Sequence, residues 1–429
     1  MADNDDWVLL PSSFPQRAQP DPNTTPDYLG AISTYVDGLD GALWPVNKTI
    51  HDHPELGFKE KIAAKALTDF LKTRPGWNVK LGVYGMETAW VAVWESGRKG
   101  TVVSFNAEMD ALPEIGHACG HNLIATASVA GALATAAVME KYQLSGKVVL
   151  FGTPAEEGGG GKIKLIQAGA YTAHAVDFSL ISHPGITADS ALMNTTAYTR
   201  FQVEYFGRES HAAANPWLGI NALDALITAY TALSVLRQQT QPADIIQGHI
   251  TSGGLAPNII HAYAAGVFVV RAASSSRLAV LSSQVRKCFE AGATATGAQL
   301  KITPQGAYAD HRPNSILGSL YRSAFNALGG SIPSPAVDRV QGHSNASTDQ
   351  GDVSYHVPSL SPGFWIRPGD QGNGPHSPDF EGAAGTREAF GKALRVGKAL
   401  AATAVVVVAG PGVRERVWRE FERDVKGEE

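Results

Sequence analysis

The sequence predicts an α/β sandwich with a ferredoxin-like βαββαβ unit inserted into it. Three observations lead there. The chain has 429 residues, beyond the size at which a single hydrophobic core keeps growing, so two domains are expected. Between about residues 90 and 185, short apolar runs alternate with helical stretches, the pattern of a sheet covered by helices. From about residue 195 a second pattern begins, in the order strand, helix, strand, strand, helix, strand.

Residues 1–26, with "PSSFPQRAQPDPNTTP", are rich in Pro, Gln, Asn and Thr and read as a disordered leader. From Asp27 to about Leu71 the chain reads as two helices parted near the proline of "HPELG". "AWVAVWE" and "TVVSFNAE" follow as strands. "NLIATASVAGALATAAVMEKY" is a long helix of small and apolar residues with few polar faces, hence buried. "KVVLFGTPAEE" and "VDFSLISHPG" are apolar runs ending in polar residues, as central strands of a parallel sheet do. In such sheets the chemistry gathers at the carboxyl ends of the strands. In the second pattern, "YTRFQVEYFG", "IIQGHITSGG", "AYAAGVFVVRAAS" and "AQLKITPQG" are the strands. "GINALDALITAYTALSVLRQQ" and "RLAVLSSQVRKCFEAGA" are the helices. The inserted unit is placed at residues 193–307, within a discontinuous first domain of residues 27–192 and 308–429.

Composition narrows the partners. Charged residues make up 17% and the formal net charge is -5, which gives no electrostatic reason to expect nucleic acid or an anionic membrane. The N-terminus "MADNDDWVLL" is acidic where a secretory signal would be basic. "ALAATAVVVVAG" is shorter than the roughly 18 apolar residues a spanning helix needs and reads as a buried helix. Two cysteines, Cys119 and Cys288, do not make a secreted disulfide framework. A cytoplasmic location is expected.

Four stretches supply metal-type ligands, each at or just after a predicted strand end. They are Cys119 and His121 in "HACGHN", Glu156 and Glu157 in "TPAEEGGGG", His183 in "SHPG" and His376 in "GPHSPDF". A hydrolytic metal site needs nitrogen, sulfur or oxygen donors, an open position for water and a carboxylate to take its proton. Adjacent glutamates in an irregular turn suit the last two needs, because their side chains diverge. "GGGGK" is not a P-loop, since Ile163 follows Lys162 where Ser or Thr is required.

Seven segments, "HDHPELGFKE", "MDALPEIGHACGHNLIA", "TPAEEGGGGK", "GRESHAAANPWLGINALDA", "GGLAPNII", "STDQGDVSYHVPS" and "PHSPDF", together resemble the M20 metallopeptidase family and span about residues 28–405. They are most similar to the branch of aminoacylase-like amidohydrolases, aminobenzoyl-glutamate hydrolases and M20 domain-containing protein 2 dipeptidases. The resemblance implies that Cys119, His121, Glu157, His183 and His376 bind two divalent metal ions, zinc or manganese. It implies that Glu156 is the general base that activates water, and that Asp110 orients a ligand without holding metal. His211 and Asn258 match lid residues that reach the neighbouring subunit's site and polarise the scissile carbonyl. Arg271 matches the arginine that pairs with the substrate carboxylate. Asn122 departs from the auxin-conjugate branch, which usually has Asp there, and agrees with the aminobenzoyl-glutamate branch.

Three readings follow. The first is a dinuclear metal-dependent amidohydrolase or dipeptidase, a homodimer through the inserted lid, acting on small amide or dipeptide substrates with a free carboxylate. The second is a cysteine-dependent amidase using Cys119, and the third a non-catalytic binding member of the fold. His51, His53 and His117 are expected to be structural, and Cys288 to be core. Intact ligands and an intact base favour the first reading.

Overall fold

A computed structural model of the chain describes residues 27–426, so the expected leader at 1–26 lies outside the described residues. In chain order the strands are β1 (Asn78–Leu81), β2 (Trp90–Glu95), β3 (Thr101–Glu108), β4 (Gly146–Thr153), β5 (Phe178–Leu180), β6 (His183–Gly185) and β7 (Ala197–Phe206). They continue as β8 (Ser210–His211), β9 (Ile245–Ser252), β10 (Ile259–Ile260), β11 (Tyr263–Ala272), β12 (Gln299–Tyr308), β13 (Ser359–Leu360) and β14 (Gly363–Trp365).

The larger sheet has the order β1-β2-β4-β3-β5-β13. Strands β4, β3, β5 and β13 run parallel, whereas β2 and β1 are added antiparallel. The sheet is therefore mixed where the sequence suggested parallel pairing. An apolar run such as "WVAV" is buried on both faces in either direction, so its composition carries no sense of direction. Strand β1, "NVKL", is too exposed and too polar to announce itself.

Burial alternates along the central strands. Val103 and Phe105 of β3, with Leu150 of β4, join one core, while Val102, Val149 and Phe151 face a second one on the other side. The first core is roofed by the helices Tyr28–Asp52, His121–Lys141 and Arg387–Ala409. The last two approach closely through small residues. A Cβ at Gly397 would stand 2.9 Å from the Ala127 carbonyl oxygen and from the Ala130 Cβ. The long helix His121–Lys141 is apolar enough to cross a membrane, but almost all of it is buried in the protein. "ALAATAVVVVAG" lies in the helix Arg387–Ala409 and is likewise largely buried.

The second sheet has the order β12-β7-β11-β9 with every neighbour antiparallel, the ferredoxin-like arrangement expected from the βαββαβ pattern. Helices Ala222–Leu236 and Ser275–Thr296 cover it, and Phe201, Leu226, Phe268 and Phe289 form a core of its own. Cys288 packs against that core. The chain enters this sheet by β7 and leaves it by β12, whose ends pair at Tyr198 and Tyr308. That pair marks the place where the chain passes between the two sheets.

Candidate active site

Because β3, β4 and β5 are parallel, the loops after Glu108, Thr153 and Leu180 leave the sheet at one edge. Every metal-type residue singled out in these loops arrives there. His121 opens the helix His121–Lys141, preceded by Gly120 at φ 78°. A side chain at Gly120 would meet Pro184 at 2.6 Å, so the glycine lets the Cys119 segment lie against the turn that carries His183. His376 is reached from the far end of the chain. Its amide donates to the Ala118 carbonyl at 2.8 Å, which ties the loop before helix Pro378–Ala384 to the Cys119 segment.

The donor atoms form overlapping groups, each within 4.8 Å. Cys119, His121 and His183 are one, Cys119, Glu157 and His376 are a second that shares the sulfur, and His121, Glu156 and Glu157 are a third. Cys119 Sγ lies 3.3 Å from His183 Nε2, and Glu157 Oε1 lies 3.3 Å from His376 Nε2. The ring orientations suit ligation. His183 Nδ1 faces the Pro184 carbonyl at 2.8 Å, which directs Nε2 inward. His121 Nδ1 stands 3.2 Å from Asp110 Oδ1, an acidic neighbour that orients the ring as in many metal sites. Both ring nitrogens of His121 and Glu157 Oε1 are buried without a well-aligned hydrogen-bond partner. Buried polar atoms left so are rare, and a cation among these donors would satisfy them. The residues present fit two divalent ions.

Electrostatics agree. Burial pushes the Cys119 thiol up, and a nucleophilic role for it would leave the grouping of its sulfur with His183, and with Glu157 and His376, without a purpose. That disfavours the thiol-amidase reading. Burial, reinforced by the negative charges of Glu108, Glu157 and Asp349, holds Glu156 well above the usual carboxylate range. Burial works against ionisation of Glu157, yet its contact with His376 and the charge of His121 bring it below its ordinary value. The adjacent glutamates thus sit in different electrostatic environments.

The turn that carries them is braced from three sides. Glu60 accepts from the Ala155 amide at 2.8 Å. Asp110 accepts from the amides of Glu156 at 3.1 Å and Glu157 at 2.9 Å. Tyr308 accepts from the amides of Gly158 and Gly160, each at 3.1 Å, and donates to the Glu156 carbonyl at 2.7 Å. Ala155 sits at φ 56° and His376 at φ 68°, a region that non-glycine residues occupy uncommonly.

Sequence reasoning missed a buried charge group under the site. Lys162 Nζ donates to Glu108 Oε1 at 2.6 Å and to Asp349 Oδ1 at 2.5 Å, and all three side chains are inaccessible or nearly so. Glu108, Glu156 and Asp349 form a carboxylate cluster of their own, but its position is filled by the Lys162 ammonium. The signals were a glutamate closing the apolar run "TVVSFNAE" and a lone lysine after four glycines.

The remaining residues lie apart from the donors. His211 pairs with Ile259 between β8 and β10, and the Asn258 carbonyl accepts from the Ala212 amide. His211 Nδ1 accepts from the amides of Ala213 and Ala214 at 3.2 and 3.1 Å. Among the described residues, neither His211 nor Asn258 bonds to the donor cluster. Arg271, on β11, donates to Ser347 Oγ at 2.8 Å and to the Asn345 carbonyl at 3.2 Å. Its guanidinium lies over the Tyr198 ring, 5.2 Å from the centroid. Burial lowers its pKa, and among the described residues no carboxylate pairs with it. His51 bonds to the Glu381 carbonyl at 3.0 Å and His53 to that of Thr49 at 3.0 Å, both structural contacts.

Comparison with known proteins places this geometry. Residues 104–402 match the model of peptidase family M20/M25/M40. The chain belongs to the M20 family. As an M20 protein it is 40% identical over 405 residues to a Xaa-Arg dipeptidase of Mus musculus, covering 92% of each chain. The Xaa-Arg dipeptidase of Homo sapiens is 37% identical over 410 residues. A component of the p-aminobenzoyl-glutamate hydrolase of Escherichia coli K12 is 30% identical over 298 residues, 65% of this chain and 61% of that one. Among solved structures, a putative aminohydrolase from methicillin-resistant Staphylococcus aureus aligns with TM-score 0.71 at 19% identity, covering 88% of this chain and 98% of that one. A dinuclear metal-binding M20 peptidase from Bacillus subtilis aligns with TM-score 0.63 at 18% identity, covering 86% and 99%. This M20 protein is thus a hydrolase of the two-domain M20 architecture.

Replacing Lys162 by Met leaves Glu108 and Asp349 buried with no cation between them. Breaking a buried pair by removing one partner costs about 3–5 kcal/mol. Urea unfolding of Lys162→Met should show a loss of that order. A loss below about 1 kcal/mol would mean that the carboxylates do not depend on the ammonium.

Proposed function

We propose that this M20 hydrolase holds two divalent metal ions, zinc or manganese, and cleaves the amide bond of small substrates with a free carboxylate. Dipeptides with C-terminal arginine are the leading class, and N-acyl amino acids the second. The observation that carries the reading is the pair of donor groups sharing Cys119, with Glu156 beside them in a different electrostatic setting from Glu157. The substrate class rests on 40% identity to a Xaa-Arg dipeptidase across 92% of each chain.

Cys119, His121, Glu157, His183 and His376 would hold the ions, with Asp110 fixing the His121 ring. When bound, such ions supply Lewis acidity and make water a better nucleophile near neutral pH. Glu156 takes the proton from the attacking water and returns it to the nitrogen of the leaving amine. Arg271 meets the substrate carboxylate, for which it has donors to spare beyond Ser347 and Asn345. His211 and Asn258 polarise the scissile carbonyl as oxygen-directed donors. A thiolate ligand leans toward zinc.

The lid residues carry a further element of the reading, a homodimer in which each subunit's His211 and Asn258 complete the other's site. His211 is exposed on a short ribbon and free of the donor cluster. Trp217, 75% exposed, and Leu255, 84% exposed, flank the ribbon in sequence, apolar surface that a two-fold contact would bury.

Two experiments test these statements. Glu156→Gln should lower kcat by about 10²-fold or more with metal content unchanged, whereas Glu157→Gln should lose metal. The assay is a panel of Xaa-Arg dipeptides and N-acyl amino acids with elemental analysis of each variant. Equal metal loss in both variants, with no selective fall in kcat, would reverse the assignment. The second experiment mixes inactive His211→Ala and Glu156→Gln under conditions of subunit exchange. One site of the heterodimer then has both residues intact, and activity should reappear. No recovery despite proven exchange would place His211 in its own subunit's site or outside catalysis.

A further inference from the structure

Tyr308 is the last residue of β12, where the chain leaves the lid sheet. Its ring is buried, 5% exposed, and its hydroxyl has three partners on a single turn, the amides of Gly158 and Gly160 and the carbonyl of Glu156. That turn carries Glu156 and Glu157. The glycines explain why such a grip is needed. Gly158 and Gly160 have φ of 101° and 63°, and a stretch of glycines has the largest conformational freedom to lose. Left to itself, the turn would hold Glu156 poorly.

The ring side of Tyr308 leads to the lid. Tyr308 pairs with Tyr198 across β12 and β7, and the rings meet edge to face with centroids 5.1 Å apart. Tyr198 pairs in turn with Arg271 across β7 and β11, and the guanidinium lies over its ring. Residues directly opposite on antiparallel strands share a face of the sheet. Tyr308, Tyr198 and Arg271 therefore form one cross-strand row. It runs from the proposed carboxylate grip, through the passage between the two sheets, to the backbone of the proposed base.

We infer that Tyr308 is a positioning residue for Glu156: its hydroxyl seats the glutamate turn and joins it to the lid row that ends at Arg271. The inference rests on the assignment of Glu156 as base in the reading above. Tyr308 touches no reacting atom; it acts through the carbonyl and amides of the turn. A base misplaced by about 1 Å can cost about 10²-fold in rate, whereas substrate binding through Arg271 does not need the Glu156 carboxylate.

The test is Tyr308→Phe, which keeps the ring on Tyr198 and removes only the hydroxyl, made in the wild-type and Glu156→Gln backgrounds and assayed on the best substrate of the panel. In the wild-type background kcat should fall about 10- to 100-fold, with KM within about threefold and metal content unchanged. In the Glu156→Gln background the same change should alter kcat by less than about twofold, because a group acting through Glu156 has nothing left to position. An unchanged kcat in the wild-type background, or an equal loss in both, overturns the inference. A general structural defect would produce the equal loss. If Tyr308→Phe does not accumulate as folded protein, Tyr198→Leu is measured instead. It removes the ring against which Tyr308 packs and so loosens the aim of the Tyr308 hydroxyl at the turn. Its kcat loss should likewise vanish with Glu156→Gln, and a loss that persists there overturns the inference. Wild-type kcat in Glu156→Gln alone would instead refute the base assignment, a separate result.

Discussion

The site depends on satisfying the backbone of one buried turn. Residues 155–160 leave β4 at the sheet edge and never rejoin a strand or helix until Gly161. Buried amides without partners cost about as much as lost hydrogen bonds, so an irregular turn here needs side chains to replace the missing ladder. Glu60, Asp110 and Tyr308 do this, meeting the amides of Ala155, Glu156, Glu157, Gly158 and Gly160. They come from the segment between the first two helices, from the end of β3 and from the end of β12. Three distant parts of the chain must be in place before Glu156 and Glu157 have defined positions. Asp110 also faces His121, so one carboxylate fixes a ligand ring and the ligand turn together.

The second constraint is charge. Four carboxylates, Glu108, Glu156, Glu157 and Asp349, are gathered with Asp110 in a region of low exposure. Such a gathering repels itself strongly where water is scarce. Lys162 offsets part of it, and its ammonium is held well above its ordinary pKa by Asp349, Glu108 and Glu156 despite burial. The remaining excess lies beside Cys119, His121, His183 and His376, where divalent cations would complete the balance. The buried lysine neutralises one side of this negative charge, and divalent cations held by the donor cluster would neutralise the other.

The chemistry was more legible in the sequence than its supports. Glu156, Glu157 and His183 stand out because ligand-type residues close apolar runs whose ends converge by topology, whereas Cys119, His121 and His376 stand out through segments that resemble the M20 family. The βαββαβ unit was legible because its strands alternate and its helices carry apolar faces. Strand direction was not, since β2 has the same apolar character in either sense, and the mixed sheet emerged only in three dimensions. Glu60, Tyr308 and Asp349 gave no local signal of their task, and Lys162 showed only as a lone lysine after four glycines. Their partners lie far away in sequence, 187 residues between Lys162 and Asp349 and 152 between Tyr308 and Glu156. A charged residue meeting its counter-charge at that range looks like any surface residue until the fold closes.

The central claim is that one sulfur and its neighbours hold two cations beside a free carboxylate. Anomalous diffraction from crystals of the active protein, collected across the zinc and manganese absorption edges, tests it most directly. Two peaks are expected, roughly 3.5–4 Å apart as in two-metal hydrolytic sites. One should be bounded by Cys119, His121 and His183 and the other by Cys119, Glu157 and His376, with the Glu156 carboxylate outside both coordination shells. An active crystal with no anomalous peak among these residues, or with Glu156 as a ligand in place of Glu157, would contradict the account.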